Sequence, residues 1–236
     1  MALPVLNAKT FEVKQPSTGD KLKLRPFLVA EEKILLQVSD GTASEMSEAT
    51  KQILKQCVQN NPDFDPDKLP SFDIEYLFLR LRAESVGAKV ALMLPHKDEC
   101  ERTEFTIDLT HVKVEFDDKH TNKIMLDRKV GVIMRYPSVD MLSRIAEIED
   151  ETDQSFTIMK DCIAQVYTAD GEMHSFDDAS DSEKTEFINS MSTEQFMKLQ
   201  DFFGTMPTLK YIAKVPKCVT CGQPFEYEIT GLANFF

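Results

Sequence analysis

The chain has 236 residues, 42% hydrophobic and 28% charged, with a formal net charge of −13. That balance suits a soluble chain of one large or two small domains, and the acidic excess argues against nucleic acid and anionic membrane surfaces, which both require clustered Lys and Arg. No apolar run approaches the roughly 20 residues needed to span a bilayer. The opening MALPVLNAKTFEVK has no charged region followed by an apolar one, so no secretion signal is expected. Five cysteines, an odd number, point to thiols or a metal in a reducing cytosol.

Phe11-Glu-Val13-Lys and Lys21-Leu22-Lys-Leu24 alternate apolar and polar around Pro16-Ser-Thr-Gly19-Asp20. This predicts a β-hairpin with Phe11, Val13, Leu22 and Leu24 on one face. Pro26 ends the second strand, and residues 30–38 turn helical. Thr42 and Glu45 form a capping box for a helix striped by Met46, Ala49, Ile53, Leu54, Cys57 and Val58. Cys57 on that stripe reads as a small core residue. Asp63, Asp65 and Asp67 imitate the start of a calcium loop. Lys68 stands where the sharp turn needs Gly and Ile74 where the bidentate Glu belongs, so turn chemistry is the better account.

Residues 71–90 are the stretch around which the rest is organised. Ser71 or Asp73 supplies an N-cap, and Ile74, Leu77, Phe78 and Leu81 share one face. Tyr76 and Leu79 add apolar mass on the other sides, which predicts a buried helix. Its charges Glu75, Arg80, Arg82 and Glu84 then need partners, and Arg80 and Glu84 are spaced to pair along the helix. Arg80 and Arg82 are alternatively contacts for a partner protein. Gly87 suits a left-handed helix end.

From 89 to 136 the period switches to two. Strands are predicted over 89–94, 103–109, 112–116, 123–126 and 130–136, antiparallel because their connections are short. Residues 138–148 are a short helix. Phe156, Met159, Ile163, Val166 and Tyr167 stripe a further one, and 168–182 reads as an acidic loop. Phe187, Ile188 and Met191 mark another helix. Ser192 and Gln195 cap the helix of Phe196, Leu199, Phe202 and Phe203, stopped by Gly204 and Pro207. Two strands, 209–215 and 225–229, close the chain. The class is α+β. It comprises an N-terminal hairpin and helical region (1–88), a β-rich antiparallel region (89–137), a helical region (138–206) and a C-terminal β-hairpin (207–236) meeting the β-rich region.

Cys218-x-x-Cys221-Gly222, between two strands, has the form of a zinc knuckle, a tight turn aiming two sulfurs at one metal. A redox reading is weaker, because that motif should open a helix in a βαβ setting. A structural zinc needs four ligands, and the second half is His96-Lys-Asp-Glu-Cys100, also between two strands. The paired tips are either a zinc site of His96, Cys100, Cys218 and Cys221 or a metal-free pair. Asp98 and Glu99 are poorer soft-metal ligands. The nucleophile-elbow, P-loop, dinucleotide and zinc-protease signatures are all missing. His111, His120 and His174 lack a nucleophile at recognisable spacing, and Asp117-Asp118 and Asp177-Asp178 read as solvated faces.

Three stretches carry a family likeness. They are Leu24-Arg25-Pro26-Phe27 with Glu31-Glu32-Lys33-Ile34-Leu35, then Phe72 to Arg82 running on to Ser85-Val86-Gly87, then Cys218-Val-Thr-Cys221-Gly222 with Gly231-Leu232 and Phe235-Phe236. In this order the chain resembles the baseplate hub proteins of T-even-type contractile-tailed bacteriophages. The resemblance implies a hub subunit or hub assembly factor, not an enzyme. Its partners would be other hub and tail proteins, the tape-measure protein and further copies of itself among them. It would act in the cytoplasm of the infected bacterium or in the virion tail baseplate. A transient assembly chaperone for the tape-measure protein is the alternative, and a zinc-dependent or redox enzyme is the third. The resemblance also implies a second CxxC-like pair before the middle sheet, where this chain has His96 and Cys100. In the Arg25-Pro-Phe27 segment, Arg25 either lies along a strand end beside a solvated helix or anchors a docking edge with Phe27.

Overall fold

The computed structural model describes residues 8–38 and 41–235. The opening MALPVLN and Phe236 of the family-like ending lie outside the described residues.

Strands β1 (Phe11–Lys14) and β2 (Lys21–Leu24) pair antiparallel, with Phe11 opposite Leu24 and Val13 opposite Leu22. The alternation buries Val13, Leu22 and Leu24. Helix α1 (Val29–Gln37) begins where the Glu31 carboxylate accepts the Leu28 N–H at 2.7 Å. Helix α2 (Ala43–Cys57) starts on the expected box, with the Thr42 N–H donating to Glu45 at 2.7 Å and the Glu45 N–H to Thr42 Oγ1 at 3.3 Å. Its stripe of Ala49, Ile53, Leu54 and Cys57 is buried, while Met46 is exposed. Helix α3 (Ser71–Ser85) buries Phe72, Ile74, Leu77, Phe78, Leu79 and Leu81, so it is enclosed on several sides, as its composition requires. Gly87 follows with φ +129°, a conformation that a β-carbon disfavours.

Strands β3 (Lys89–Leu94) and β4 (Thr103–Asp108) pair from Lys89 opposite Asp108 to Leu94 opposite Thr103. Then come β5 (Lys113–Glu115), β6 (Lys123–Met125) and β7 (Val130–Met134). Helix α4 (Val139–Ala146) is capped by Ser138, and α5 (Glu151–Cys162) by Asp150. The structure departs from the sequence reading here. The predicted helical stripe stops at Cys162, and Ile163, Val166 and Tyr167 belong to β8 (Ile163–Thr168). The predicted acidic loop holds β9 (Met173–Ser175). Helices α6 (Asp181–Asn189) and α7 (Thr193–Gly204) each open on a capping box, Ser180 with Glu183 and Ser192 with Gln195. Strands β10 (Thr208–Val215) and β11 (Phe225–Thr230) and a 3-10 turn (Leu232–Phe235) finish the described chain.

The strands form small antiparallel sheets, β1-β2, β3-β4, β11-β10-β5 and β6-β7-β8-β9. The fold class is α+β. Two compact units result, one of Met1–Pro66, Phe72–Glu115 and Thr208–Phe236, the other of Asp67–Ser71 and Phe116–Pro207. The strands of 89–137 are therefore divided. β5 pairs with β10 in the first unit, with Val114 opposite Leu209, while β6 and β7 join β8 and β9 in the second. In the first unit Leu79, Leu94, Ile107, Leu109, Leu209 and Ala213 lie in one core. In the second, Val132, Met134, Met159, Ile163, Leu199 and Phe202 lie in another.

Candidate metal centre

Two hairpin tips of the first unit meet. The first, residues 95–102, joins β3 to β4, and the Cys100 N–H donates to the Lys97 carbonyl at 2.9 Å. The second, residues 216–224, joins β10 to β11. There the Cys218 N–H donates to the Gln223 carbonyl at 2.8 Å and the Gly222 N–H to the Cys218 carbonyl at 3.0 Å. Gly222 takes φ +73°, so this tight turn needs a residue free of a β-carbon.

The tips are tied reciprocally. The Glu101 N–H donates to Thr220 Oγ1 at 2.9 Å, and the Val219 N–H donates to Thr103 Oγ1 at 3.1 Å. Both threonines are uncommitted in the sequence reading, since a hydroxyl recruited by a loop 116–119 residues away leaves no local pattern. The His96 ring stacks on Phe225, with centroids 4.4 Å apart and planes 13° apart. This places His96 Nδ1 3.5 Å from Cys221 Sγ.

One ligand atom each from His96, Cys100, Cys218 and Cys221 then lies within 4.8 Å of every other. Cys218 is buried, His96 and Cys100 are half-buried, and Cys221 is exposed. Backbone N–H groups of Cys221 and Thr220, with the neighbouring His96 and Cys221 side chains, hold the Cys218 thiol down at about 5. Desolvation and the adjacent Cys218 and Cys221 sulfurs push Cys100 up to about 11. The other two cysteines differ in kind. Burial pushes Cys57 up to about 11 and Cys162 up to about 12, which keeps both as unreactive thiols.

The residues considered for partner contact occupy other places. The Arg25 guanidinium grips Glu31 with two hydrogen bonds, at 2.7 and 3.3 Å, and Glu31 is 3% exposed. Glu31 is thus part of a buried pair, where the sequence placed it on a solvated face. Phe27 is buried, and its N–H donates to Ser85 Oγ at 3.0 Å. Arg80 is half-buried and donates to the Thr110 carbonyl at 3.4 Å, and Arg82 is half-buried and donates to the Gly87 carbonyl at 3.5 Å.

Asp73 does not face solvent at the helix start. It is fully buried and accepts from Gln15 Nε2 at 2.8 Å, from the Ser17 N–H at 3.0 Å and from Ser17 Oγ. His120 packs with Tyr136 and Phe202 in a cluster of three rings that all touch one another, with its ring nitrogens 3.0 Å from Thr205 Oγ1 and 3.0 Å from the Tyr136 hydroxyl. Asp177 receives two 2.8 Å hydrogen bonds from Arg135.

The family model described as T4 bacteriophage base plate protein matches residues 8–236. No curated protein and no solved structure matches the chain. No helix among the described residues is long and apolar enough to cross a membrane. The chain belongs to the T4 bacteriophage base plate protein family and is a structural component of a phage baseplate.

Proposed function

We propose that the protein works in the hub of the baseplate, as a subunit or as a factor in hub assembly. It acts by binding other tail proteins, the tape-measure protein among them, and it turns over no substrate. The carrying observation is the family match over residues 8–236. The placement of the three hub-like stretches adds support. Leu24 to Leu35, Phe72 to Gly87 and Cys218 to Phe235 all belong to the first unit. The start of α1 also offers apolar surface, with Leu28 46% and Val29 66% exposed beside the buried Phe27. Arg25 and Phe27 serve this docking edge from behind by fixing the first turn of α1, and Arg80 and Arg82 are further candidate contacts. Exposed apolar side chains next to a rigid anchor are what a partner of matching shape would cover.

The test is mass spectrometry of this chain in complexes isolated from infected cells and in purified finished phage. Its presence with tail proteins in both samples is the result expected of a hub subunit. Presence in the cell complexes alone assigns it to assembly, as a transient chaperone. The absence of tail proteins from both samples overturns the reading.

A further inference from the structure

We propose that His96, Cys100, Cys218 and Cys221 bind one structural zinc ion that staples the β3–β4 tip to the β10–β11 tip. The proposal rests on the geometry of the tips and stands or falls independently of the hub reading.

Four donors meet at one point, three sulfurs and one imidazole nitrogen, all within 4.8 Å of one another. A tetrahedral zinc with Zn–S of about 2.3 Å and Zn–N of about 2.0 Å sets its ligand atoms about 3.5–3.8 Å apart. The His96 Nδ1 to Cys221 Sγ separation is already 3.5 Å, so contraction of the remaining edges by at most about 1.3 Å, on the order of a side-chain rotation, completes the shell. A thiolate-rich set with one imidazole favours zinc over the hard cations calcium and magnesium. Four protein ligands also close the coordination sphere, which is the arrangement of a structural site. A catalytic zinc keeps one position for water.

The surroundings favour a built site over a chance meeting of thiols. Each tip is turned by its own backbone hydrogen bonds, and Gly222 has the left-handed φ that its tight turn requires. Thr103 and Thr220 lock the tips to each other from both sides. Phe225 fixes the plane of the His96 ring, so the imidazole does not have to be ordered when a metal arrives. The tips come from segments more than a hundred residues apart, joined at Glu101 and Thr220 with a separation of 119. A metal bridging such a span offsets a large loop-closure entropy, and its binding free energy becomes folding free energy for the tips.

The test uses the full-length protein, purified without chelator after expression with zinc in the medium. Elemental analysis should give about one zinc per chain. Cys221→Ser removes the exposed ligand and should lower retained zinc at least tenfold. Cobalt(II) exchanged into the wild-type protein provides a second reading that needs no variant. It should show the intense visible bands of a tetrahedral site and sulfur-to-cobalt charge transfer in the near ultraviolet. Less than a tenth of an equivalent of zinc together with an octahedral cobalt spectrum overturns the proposal. So does iron in place of zinc, or a disulfide among Cys100, Cys218 and Cys221 in the intact mass of protein kept under reducing conditions.

Discussion

Asp73, fully buried on α3, accepts a 2.8 Å hydrogen bond from Gln15 Nε2 at the β1–β2 turn, across 58 residues of chain. The Ser17 N–H and hydroxyl complete the shell. One carboxylate thus fastens the N-terminal hairpin to the central helix of the first unit. Truncation by Asp73→Ala strands several donors and should cost about 2–4 kcal/mol. Burial raises the Asp73 pKa above its ordinary 3.8, although the hydrogen bonds from Ser17 and Gln15 oppose that rise. The folded state therefore holds the proton more tightly than the unfolded state. The stabilisation linked to that proton is fully present below the ordinary value and is lost as pH rises through the folded one. The cost of Asp73→Ala, read from urea unfolding, should be larger near pH 4 than at pH 7. An equal or smaller cost in acid would contradict the linkage.

The pair of Arg25 and Glu31 has the opposite sign. The Arg25 hydrogen bond pulls the Glu31 carboxyl below its ordinary 4.5, against the desolvation that raises it. Its contribution is present above the ordinary value and is lost as pH falls through the lower folded one. Arg25→Met should destabilise the protein by about 3 kcal/mol, because Glu31 is left buried without its cation. Arg25→Met with Glu31→Gln should recover much of that loss. If Arg25 touches a tail protein directly, the double variant regains stability without regaining capture of tail proteins. Recovery of both restricts Arg25 to holding α1.

His120 is a half-buried histidine in the second unit. Desolvation lowers its pKa below 6.5, while Asp117 pulls the other way. A lowered folded pKa gives stability that is present above 6.5 and lost as pH falls through the folded value. The thermal midpoint of unfolding should drop between pH 7 and pH 5, and the His120 ring signals in NMR should titrate below the ordinary 6.5. His120→Phe should flatten the drop, at a cost of about 1–2 kcal/mol for the hydrogen bonds that the imidazole makes to Thr205 and Tyr136. A His120 titration at or above 6.5 would refute the assignment.

Local chemistry in the sequence carries as far as one turn or one tight loop. The boxes at Thr42 and Ser192, the hairpin around Gly19 and the Cys218 to Gly222 turn are each complete within a few residues, and each is legible. The run after Phe156 is not. Phe156, Met159, Ile163 and Val166 recur at helical spacing, yet β7 claims Ile163 to Thr168 as a strand, and that pairing has no local signature. The four candidate ligands are visible as two short motifs, whereas Thr103, Thr220 and Phe225, which set their geometry, act from other loops and strands and are not. Glu31 illustrates the same limit. Its helical position reads as solvated, and only the return of Arg25 beside it makes it a core charge.

Gly131 tests the second unit's sheet at its tightest point. It lies on β7 between Met125 of β6 and Tyr167 of β8. A β-carbon there would run into the Tyr167 ring and lie 2.8 Å from the Ile124 carbonyl. The ring is held in place, because its hydroxyl lies 3.0 Å from Met125 Sδ and Lys123 Nζ stands 4.7 Å from its centroid. Glycine at this position lets the aromatic side chain of one strand cover the bare backbone of the next. Gly131→Ala should therefore destabilise the protein by about 1–3 kcal/mol, although alanine is the smallest addition possible. Removing the ring with Tyr167→Ala should make the added cost of Gly131→Ala smaller but not zero, since the Ile124 carbonyl belongs to the backbone and cannot swing away. A thermal-unfolding double-mutant cycle measures both parts, and full additivity of the two substitutions would show that the ring and the glycine are not coupled.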